Sequence, residues 1–283
     1  MRPLPETPLV TIVTPSYNTG RFIEATLMSV RDQDYPRIEH IVLDSGSTDQ
    51  TPEILARFPS IRLISPAPAT LTGKINHAFT IAQGDIVGWL CADDCYLPGA
   101  ITRAVEALKK NPEAGMAYCN FLQMDADGVE LKRWRSKQAS FRKLLNDQNY
   151  VPTEGAFIRR EALERVGPVD TRYTLVQDWD LWIRISKFFP IKYVDDWWAA
   201  FRVHTGQRSS RYQYEFWFEG RRMTRGNGAP FFSPLVFQYW SRKIFNAAAL
   251  VCTGQLREFA QRFHTFLIGV SARRPRDRTP QRR

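Results

Sequence analysis

Cysteine is scarce, with four residues in 283, at positions 91, 95, 119 and 252. No two of them pair with a second pair at zinc-ligand spacing, which excludes a zinc finger and a dense disulfide framework. Buried thiols in a reducing compartment are expected. No apolar run reaches the roughly 18 residues that a membrane span needs. The longest candidate, Ile244 to Val270, is broken by Arg257, Glu258 and Arg262. The first ten residues, MRPLPETPLV, contain no apolar signal core, so no secretion signal is expected and the chain reads as cytoplasmic. Residues 14 to 20 lack a glycine-rich phosphate loop. No internal repeat and no recognised nucleic-acid-binding motif is visible, and no nucleic-acid partner is expected.

What is present suits a sizeable core. The chain is 43% hydrophobic and 24% charged, ordinary for a globular protein. Its net charge of +10 is unevenly spread: from Arg202 onward there are 16 basic and 4 acidic residues, against 23 and 25 before it. A basic tail suits an anionic lipid, a nucleic acid or an acidic partner.

Strand and helix patterns alternate along the first hundred residues. Leu9 to Thr14 reads as a strand, followed by Phe22, Ile23, Thr26, Leu27 and Val30 at helical spacing. His40 to Leu43 and Ile61 to Ile64 read as further strands, and Thr72 to Ala82 as a helix. Ser47 or Thr48 is placed to cap a helix that follows. Strands alternating with helices predict an α/β fold with a doubly wound, mostly parallel sheet. Beyond a helix over 98–111 the pattern changes. Ala114 to Met124 and Val129 to Trp134 flank Asp125-Ala126-Asp127-Gly128, a hairpin signal. Helices near 141–145, 161–166 and 178–185 and strands at 155–158, 191–194 and 198–203 complete an expected acceptor-side half. From about Ser209 the chain reads as helical and aromatic. Leu256, Phe259, Phe263, Phe266, Leu267 and Val270 form one stripe, and a polar basic end follows from Arg273.

The stretch from Asp85 to Asp94 organises the rest. It opens as an apolar run and ends in Asp93-Asp94, at the end of an expected buried strand. Open α/β sheets bind ligands at such ends. Two adjacent carboxylates suit Mg²⁺ or Mn²⁺ shared with a substrate phosphate. They suit equally well the N-terminus of the helix that begins near Pro98. From this stretch alone both readings stand.

Several further motifs occur in order: Pro15-Ser16-Tyr17-Asn18; Asp44-Ser45-Gly46-Ser47-Thr48-Asp49; Asn76 ahead of Gly84-Asp85; Tyr96-Leu97-Pro98-Gly99 after the carboxylate pair; Gln177-Asp178-Trp179-Asp180-Leu181-Trp182; and Arg202-Val203-His204. Together with Asp93-Asp94, they make residues 9 to 210 resemble the family 2 glycosyltransferases of the GT-A fold. The resemblance implies an inverting transferase that moves a sugar from a nucleotide diphosphate, with UDP-sugars first and dTDP- or GDP-sugars open. It implies a catalytic domain over 1–208, whose residues 1–100 bind donor and 101–208 acceptor, and a helical, basic extension over 209–283. By position, Thr14, Pro15, Tyr17, Asn18, Asp44, Ser45, Gly46, Asn76 and Asp93 would meet the nucleotide. Asp94 and His204 would meet the metal, and Arg202 and Lys74 the diphosphate. Asp178 would be the general base that takes the acceptor hydroxyl's proton. Asp180 lies about 200° around a helix from Asp178 and serves as its structural counterpart. Of Trp197 and Trp198, at least one is expected in the core and either could line an acceptor groove. This sequence has Ala92-Asp93-Asp94 in place of a full Asp-x-Asp, which diphosphate and water can compensate. The implied acceptor is a glycan or a lipid-linked saccharide, with peripheral contact between the basic C-terminal region and the inner face of an anionic membrane. A non-catalytic nucleotide- or glycan-binding relative and a nucleotidyltransferase are the alternatives.

Overall fold

Residues 1–207 and 213–230 are described by the computed structural model, and their strands form one nine-stranded sheet. In chain order the elements are β1 (Val10–Ser16), α1 (Ile23–Arg31), β2 (Ile38–Asp44), α2 (Thr51–Leu55), β3 (Arg62–Ile64), α3 (Leu71–Ile81), β4 (Ile86–Trp89), β5 (Cys95–Tyr96) and α4 (Ala100–Lys110). There follow β6 (Met116–Met124), β7 (Glu130–Trp134), α5 (Phe141–Asn146), β8 (Ala156–Arg159), α6 (Arg160–Val166), α7 (Gln177–Phe188), β9 (Ile191–Arg202) and α8 (Gln213–Gly226).

The spatial order is β3-β2-β1-β4-β8-β6-β9-β5, with β7 on the outside of β6. β1 pairs in parallel with β2 and β4, and β2 with β3. The expected α/β architecture is therefore present, and its parallel strands lie mainly in the first half. β8 runs antiparallel to both of its neighbours, β4 and β6. The chain winds outward from β1 to β3, then returns to the other side of β1 as β4. The carboxyl ends of β1 and β4 border that reversal, where a ligand crevice opens.

Burial fixes this geometry. Val10 and Ile12 of β1, Ile86 of β4 and Phe157 of β8 share one core cluster with Ile101, Ala104, Val105 and Leu108 of α4. The 3–4 residue spacing on α4 is what lets one helix face cover the sheet. Each Val, Ile, Leu or Phe among them contributes roughly 1.5–3 kcal/mol by leaving water. Gly88 in β4 is required by packing, because a Cβ there would lie 2.7 Å from Tyr96 Oη and 3.0 Å from Ile12 Cδ1.

Three expectations need correction. The strand from Asp85 stops at Trp89, because the chain turns, with the Asp94 amide on the Cys91 carbonyl at 3.1 Å. The two strands expected near 191 and 198 are one strand, β9, with irregular register against β6 on either side of Asn120. Neither Ser47 nor Thr48 caps α2; Asp49 Oδ1 accepts from the Thr51 amide instead, at 3.0 Å. The hairpin over 125–128 forms as expected, and Gly128 takes the left-handed φ of 88° that its turn needs.

The start of the C-terminal region is helical, as α8. Its Phe216 stacks on Trp179, centroids 6.2 Å apart. Glu219 accepts from the amides of Thr174, Leu175 and Val176, the N–H groups just ahead of α7. The stripe from Leu256 to Val270 and the end from Arg273 lie outside the described residues. Among the described residues, no helix is long and apolar enough to cross a membrane.

Candidate active site

The loops after β1 and β2 form one cradle. Asp44, the last residue of β2, is buried; its Oδ2 accepts from the amides of Gly46 and Ser47 at 3.1 and 2.8 Å. Gly46 sits at φ 79°, open to solvent, so only the backbone occupies that corner. Asn18, at φ 50°, donates its amide to Ser47 Oγ and accepts from the Thr48 amide, at 2.7 and 2.9 Å. Asp49 Oδ2 takes the Gly20 amide at 2.9 Å. Tyr17 stands at the mouth of the cradle with 56% of its surface exposed, an aromatic face free for stacking. Pro15 is buried in β1, two residues before it.

Other residues expected here are drawn elsewhere. Thr14 is fully buried, and its hydroxyl bonds His40 Nε2 at 3.0 Å. Burial lowers the pKa of that imidazole to about 3, so it stays neutral. Asn76 faces the loop after α6: its Nδ2 donates to the Val169 carbonyl and its Oδ1 accepts from the Val169 amide, at 2.9 and 2.7 Å. Lys74, also buried, donates to the Ser16 carbonyl and to Ser45 Oγ at 2.9 and 2.8 Å, tying the ends of β1 and β2 together.

Beyond β4 the turn brings Cys91, Asp93 and Asp94 together, with one ligand-type atom of each within 4.8 Å of the others. Asp94 is buried, and its Oδ1 accepts from the Arg202 amide at 2.9 Å. Burial first, then the charges of Asp93 and Glu154, push its carboxyl well above the usual range. Such a site favours a cation: two carboxylates held close in a desolvated turn repel until one is supplied. Burial, then the charges of Asp94 and Asp93, push the Cys91 thiol up as well. A protonated thiol is a poor ligand, so the hard carboxylate oxygens define the site, and they fit Mg²⁺ or Mn²⁺.

His204 is not part of that ligand group. Its Nε2 lies 3.1 Å from Asp93 Oδ2, and its ring packs on Phe22 at 4.5 Å. A ring in that position orients the carboxylate. Arg202 also departs from expectation. Its guanidinium is buried and donates to the carbonyls of Asp93, Asp125 and Ala126 at 2.8, 3.2 and 3.1 Å. It pins the carboxylate turn to the β6–β7 hairpin; its planar fork suits several carbonyls at once.

Asp178 lies in the first turn of α7, where the helix dipole favours a negative charge. Its Oδ2 accepts from Thr153 Oγ1 at 2.8 Å and Asn149 Nδ2 at 3.3 Å. Burial nonetheless raises its pKa above the ordinary aspartate value, against those donors. Asp180 points into the core: it is buried, with Oδ2 on Arg184 at 2.8 Å and Oδ1 on Asn227 at 3.0 Å. Trp198 is fully buried and donates to the Gly155 carbonyl, while half-buried Trp197 lies against the guanidinium groups of Arg133 and Arg135.

Three residues around this centre have no counterpart among the expected ones: Asn149, Thr153 and Glu154. Glu154 is 5% exposed; burial, then the charges of Asp178 and Asp93, push its carboxyl up to about 7. A single Glu between Pro152-Thr153 and Gly155 carries no periodic signal. Only the turn's placement reveals it.

The family model for glycosyl transferase family 2 matches residues 11–167. An uncharacterized glycosyltransferase of Nostoc, alr2836, is 26% identical over 215 residues, 69% of this chain and 65% of that protein. The chain thus spans just under two thirds of that relative. S. aureus TarS (residues 1–349), solved with UDP-GlcNAc, matches at a TM-score of 0.62 and 17% identity over 76% of this chain and 65% of that one. The mannosyltransferase PcManGT of Pyrobaculum calidifontis, solved with GDP-Man and Mn²⁺, matches at 0.59 and 22% over 94% and 85%. At these identities the two structures establish a shared GT-A-type fold. The family match runs from β1 through α6 and takes in the cradle, the carboxylate turn and Glu154. By that match this chain belongs to glycosyl transferase family 2.

Proposed function

We propose that this protein transfers a sugar from a nucleotide diphosphate to a hydroxyl group of an acceptor, with inversion at the anomeric carbon. The observation that carries the reading is that two groups beyond the end of β4 act on one point, since the charges of Asp94, Asp93 and Asp178 are all felt at Cys91. One is a carboxylate turn fit for a divalent ion; the other is a desolvated aspartate, Asp178, with donors that hold its orientation.

The cradle of Asn18, Asp44, Ser45 and Gly46 holds the nucleoside, with the ring of Tyr17 against the base. A UDP-sugar remains the first donor to test and a GDP-sugar the second. Thr14 and Asn76 have no direct part, because their polar groups are already paired within the fold. Asp94 and Asp93 would hold Mg²⁺ or Mn²⁺, and His204 steadies Asp93. A bound divalent ion would offset the charge of the leaving diphosphate.

Asp178 accepts the proton of the attacking hydroxyl as that oxygen bonds to the anomeric carbon. The bond to the diphosphate breaks in the same displacement, and the proton ends on Asp178. Burial makes Asp178 a stronger base than a solvated aspartate, and Thr153 and Asn149 keep one oxygen occupied and the carboxylate aimed. The acceptor is a glycan or a lipid-linked saccharide. The excess of 16 basic over 4 acidic residues from Arg202 onward supports peripheral contact with an anionic membrane from the cytoplasmic side.

A thermal-shift panel of UDP, dTDP, GDP, CDP and ADP, each with Mn²⁺, Mg²⁺ or chelator, tests the reading. A ligand at a hundredfold excess over its dissociation constant stabilises the folded state by about 2.7 kcal/mol. One diphosphate is expected to raise the melting temperature, and chelator to abolish the shift. No shift from any of them would overturn the assignment.

A further inference from the structure

Every carboxylate of the cleft but one is held by another residue of the chain. Asp44 takes the Gly46 and Ser47 amides, Asp93 faces His204, Asp94 takes the Arg202 amide, and Asp178 takes Thr153 and Asn149. Glu154 is the exception. It is 95% buried, and its sole hydrogen-bond donor among the described residues is its own backbone amide. A carboxylate's two oxygens accept about four hydrogen bonds, so one amide leaves most of that capacity open. Donors on a bound ligand can fill that capacity.

The turn that carries it is held by strand pairing and hydrogen bonds. β8 is antiparallel to β4, with Phe157 opposite Gly88, so the residues before Ala156 reach the carboxyl end of β4. The Gly155 amide donates to the Pro152 carbonyl and the Ala156 amide to the Thr153 carbonyl, both at 3.2 Å. Trp198 Nε1 holds the Gly155 carbonyl at 2.9 Å. A Cβ at Gly155 would lie 2.9 Å from Cys119 Sγ, so the turn packs closely on β6. Thr153 of this turn donates to Asp178, and the charges of Asp178 and then Asp93 act on the Glu154 carboxyl.

In a single displacement the anomeric carbon lies between the attacking hydroxyl, at the base, and the leaving phosphate, at the metal carboxylates. A side chain that neighbours both Asp178 and Asp93 faces the ring that contains that carbon. The polar groups on such a ring are hydroxyls, each able to donate. We propose that Glu154 binds the glycosyl ring being transferred, accepting hydrogen bonds from its hydroxyls, and so selects the sugar. This rests on the transferase reading above and adds a specificity-determining residue to it.

The test compares each bare diphosphate with its sugar nucleotides, by calorimetry in Mn²⁺: UDP with UDP-glucose, UDP-galactose and UDP-GlcNAc, and GDP with GDP-mannose. The proteins are the parent, Glu154→Gln and Glu154→Ala. Loss of hydrogen bonds to a charged group predicts that Glu154→Ala weakens at least one sugar nucleotide roughly 10- to 100-fold. Glu154→Gln is expected to weaken it less, and the bare diphosphate to change less than about twofold in either variant. A merely structural residue would weaken diphosphate and sugar nucleotide alike. Equal loss in both, or no loss with any sugar nucleotide, overturns the proposal. Failure of every diphosphate to bind the parent protein overturns the transferase reading itself, and this inference with it. Melting curves on both variants verify folding, and Glu154→Gln, which keeps the shape and drops the charge, is expected to melt no lower than the parent.

Discussion

Replacing Glu154 by Gln should stabilise the metal-free protein, and the gain should depend on pH. Burial and the charges of Asp178 and Asp93 raise this carboxyl from 4.5 to about 7. A carboxyl whose folded value is raised binds its proton more tightly when native. Stability is therefore fully present below pH 4.5 and declines until the pH passes the folded value near 7. A change from 4.5 to about 7 corresponds to about 3 kcal/mol at 1.36 kcal/mol per pH unit. Gln mimics the protonated form and escapes that loss. Urea unfolding with chelator present, at pH 4.5, 6 and 8, measures the difference between variant and parent. It should be small at pH 4.5, intermediate at pH 6 and about 3 kcal/mol at pH 8. A difference that does not grow with pH would refute the claim that the cluster desolvates this carboxyl.

Asp178→Asn should lower turnover by roughly 10²–10⁴-fold and leave calorimetric affinity for the diphosphate unchanged; full turnover at saturating substrate would remove its role as base. Asp94→Ala should abolish the chelator-sensitive part of diphosphate binding, and retention of that part would place the metal elsewhere. Asp180→Ala breaks a buried pair with Arg184 and a bond to Asn227. It should cost about 3 kcal/mol in urea unfolding, with the specific activity of the folded fraction maintained; loss of activity without loss of stability would argue against a purely structural Asp180.

Much of the first half was legible in the residues. Val10 to Thr14 and Ile41 to Leu43 are short β-branched and aliphatic runs, and parallel strands buried on both faces require such runs. The α4 stripe of Ile101, Ala104, Val105 and Leu108 follows the helical period. The Asp125-Ala126-Asp127-Gly128 turn was readable because Gly128 must reach a φ that other residues resist. The second half was harder. β9 looks like two strands because Asp195 and Asp196 interrupt the apolar run, yet the backbone continues past them with a shift in register. Periodicity detects burial on one face, and a bulge breaks the period without ending the strand.

The site divides along the same line. The sequence by itself determined which residue types stand at the strand ends: the Asp44 loop, Asp93-Asp94 and Asp178, each next to a hydrophobic run or at a helix start. Local chain geometry is enough for that, since a strand end and a first helical turn are short-range features. Tertiary structure alone decided what each polar group meets. Arg202 and Lys74 have the charge to hold a phosphate, but the fold surrounds them with carbonyls and a hydroxyl. Asn76 could meet a nucleotide, but the loop after α6 takes both ends of its amide. Glu154, with no local pattern to mark it, comes under the charges of Asp178 and Asp93 because β8 runs antiparallel beside β4. Hydrogen-bond partners and desolvation depend on atoms more than a hundred positions away, such as Arg202 on Asp94, and no local pattern encodes them.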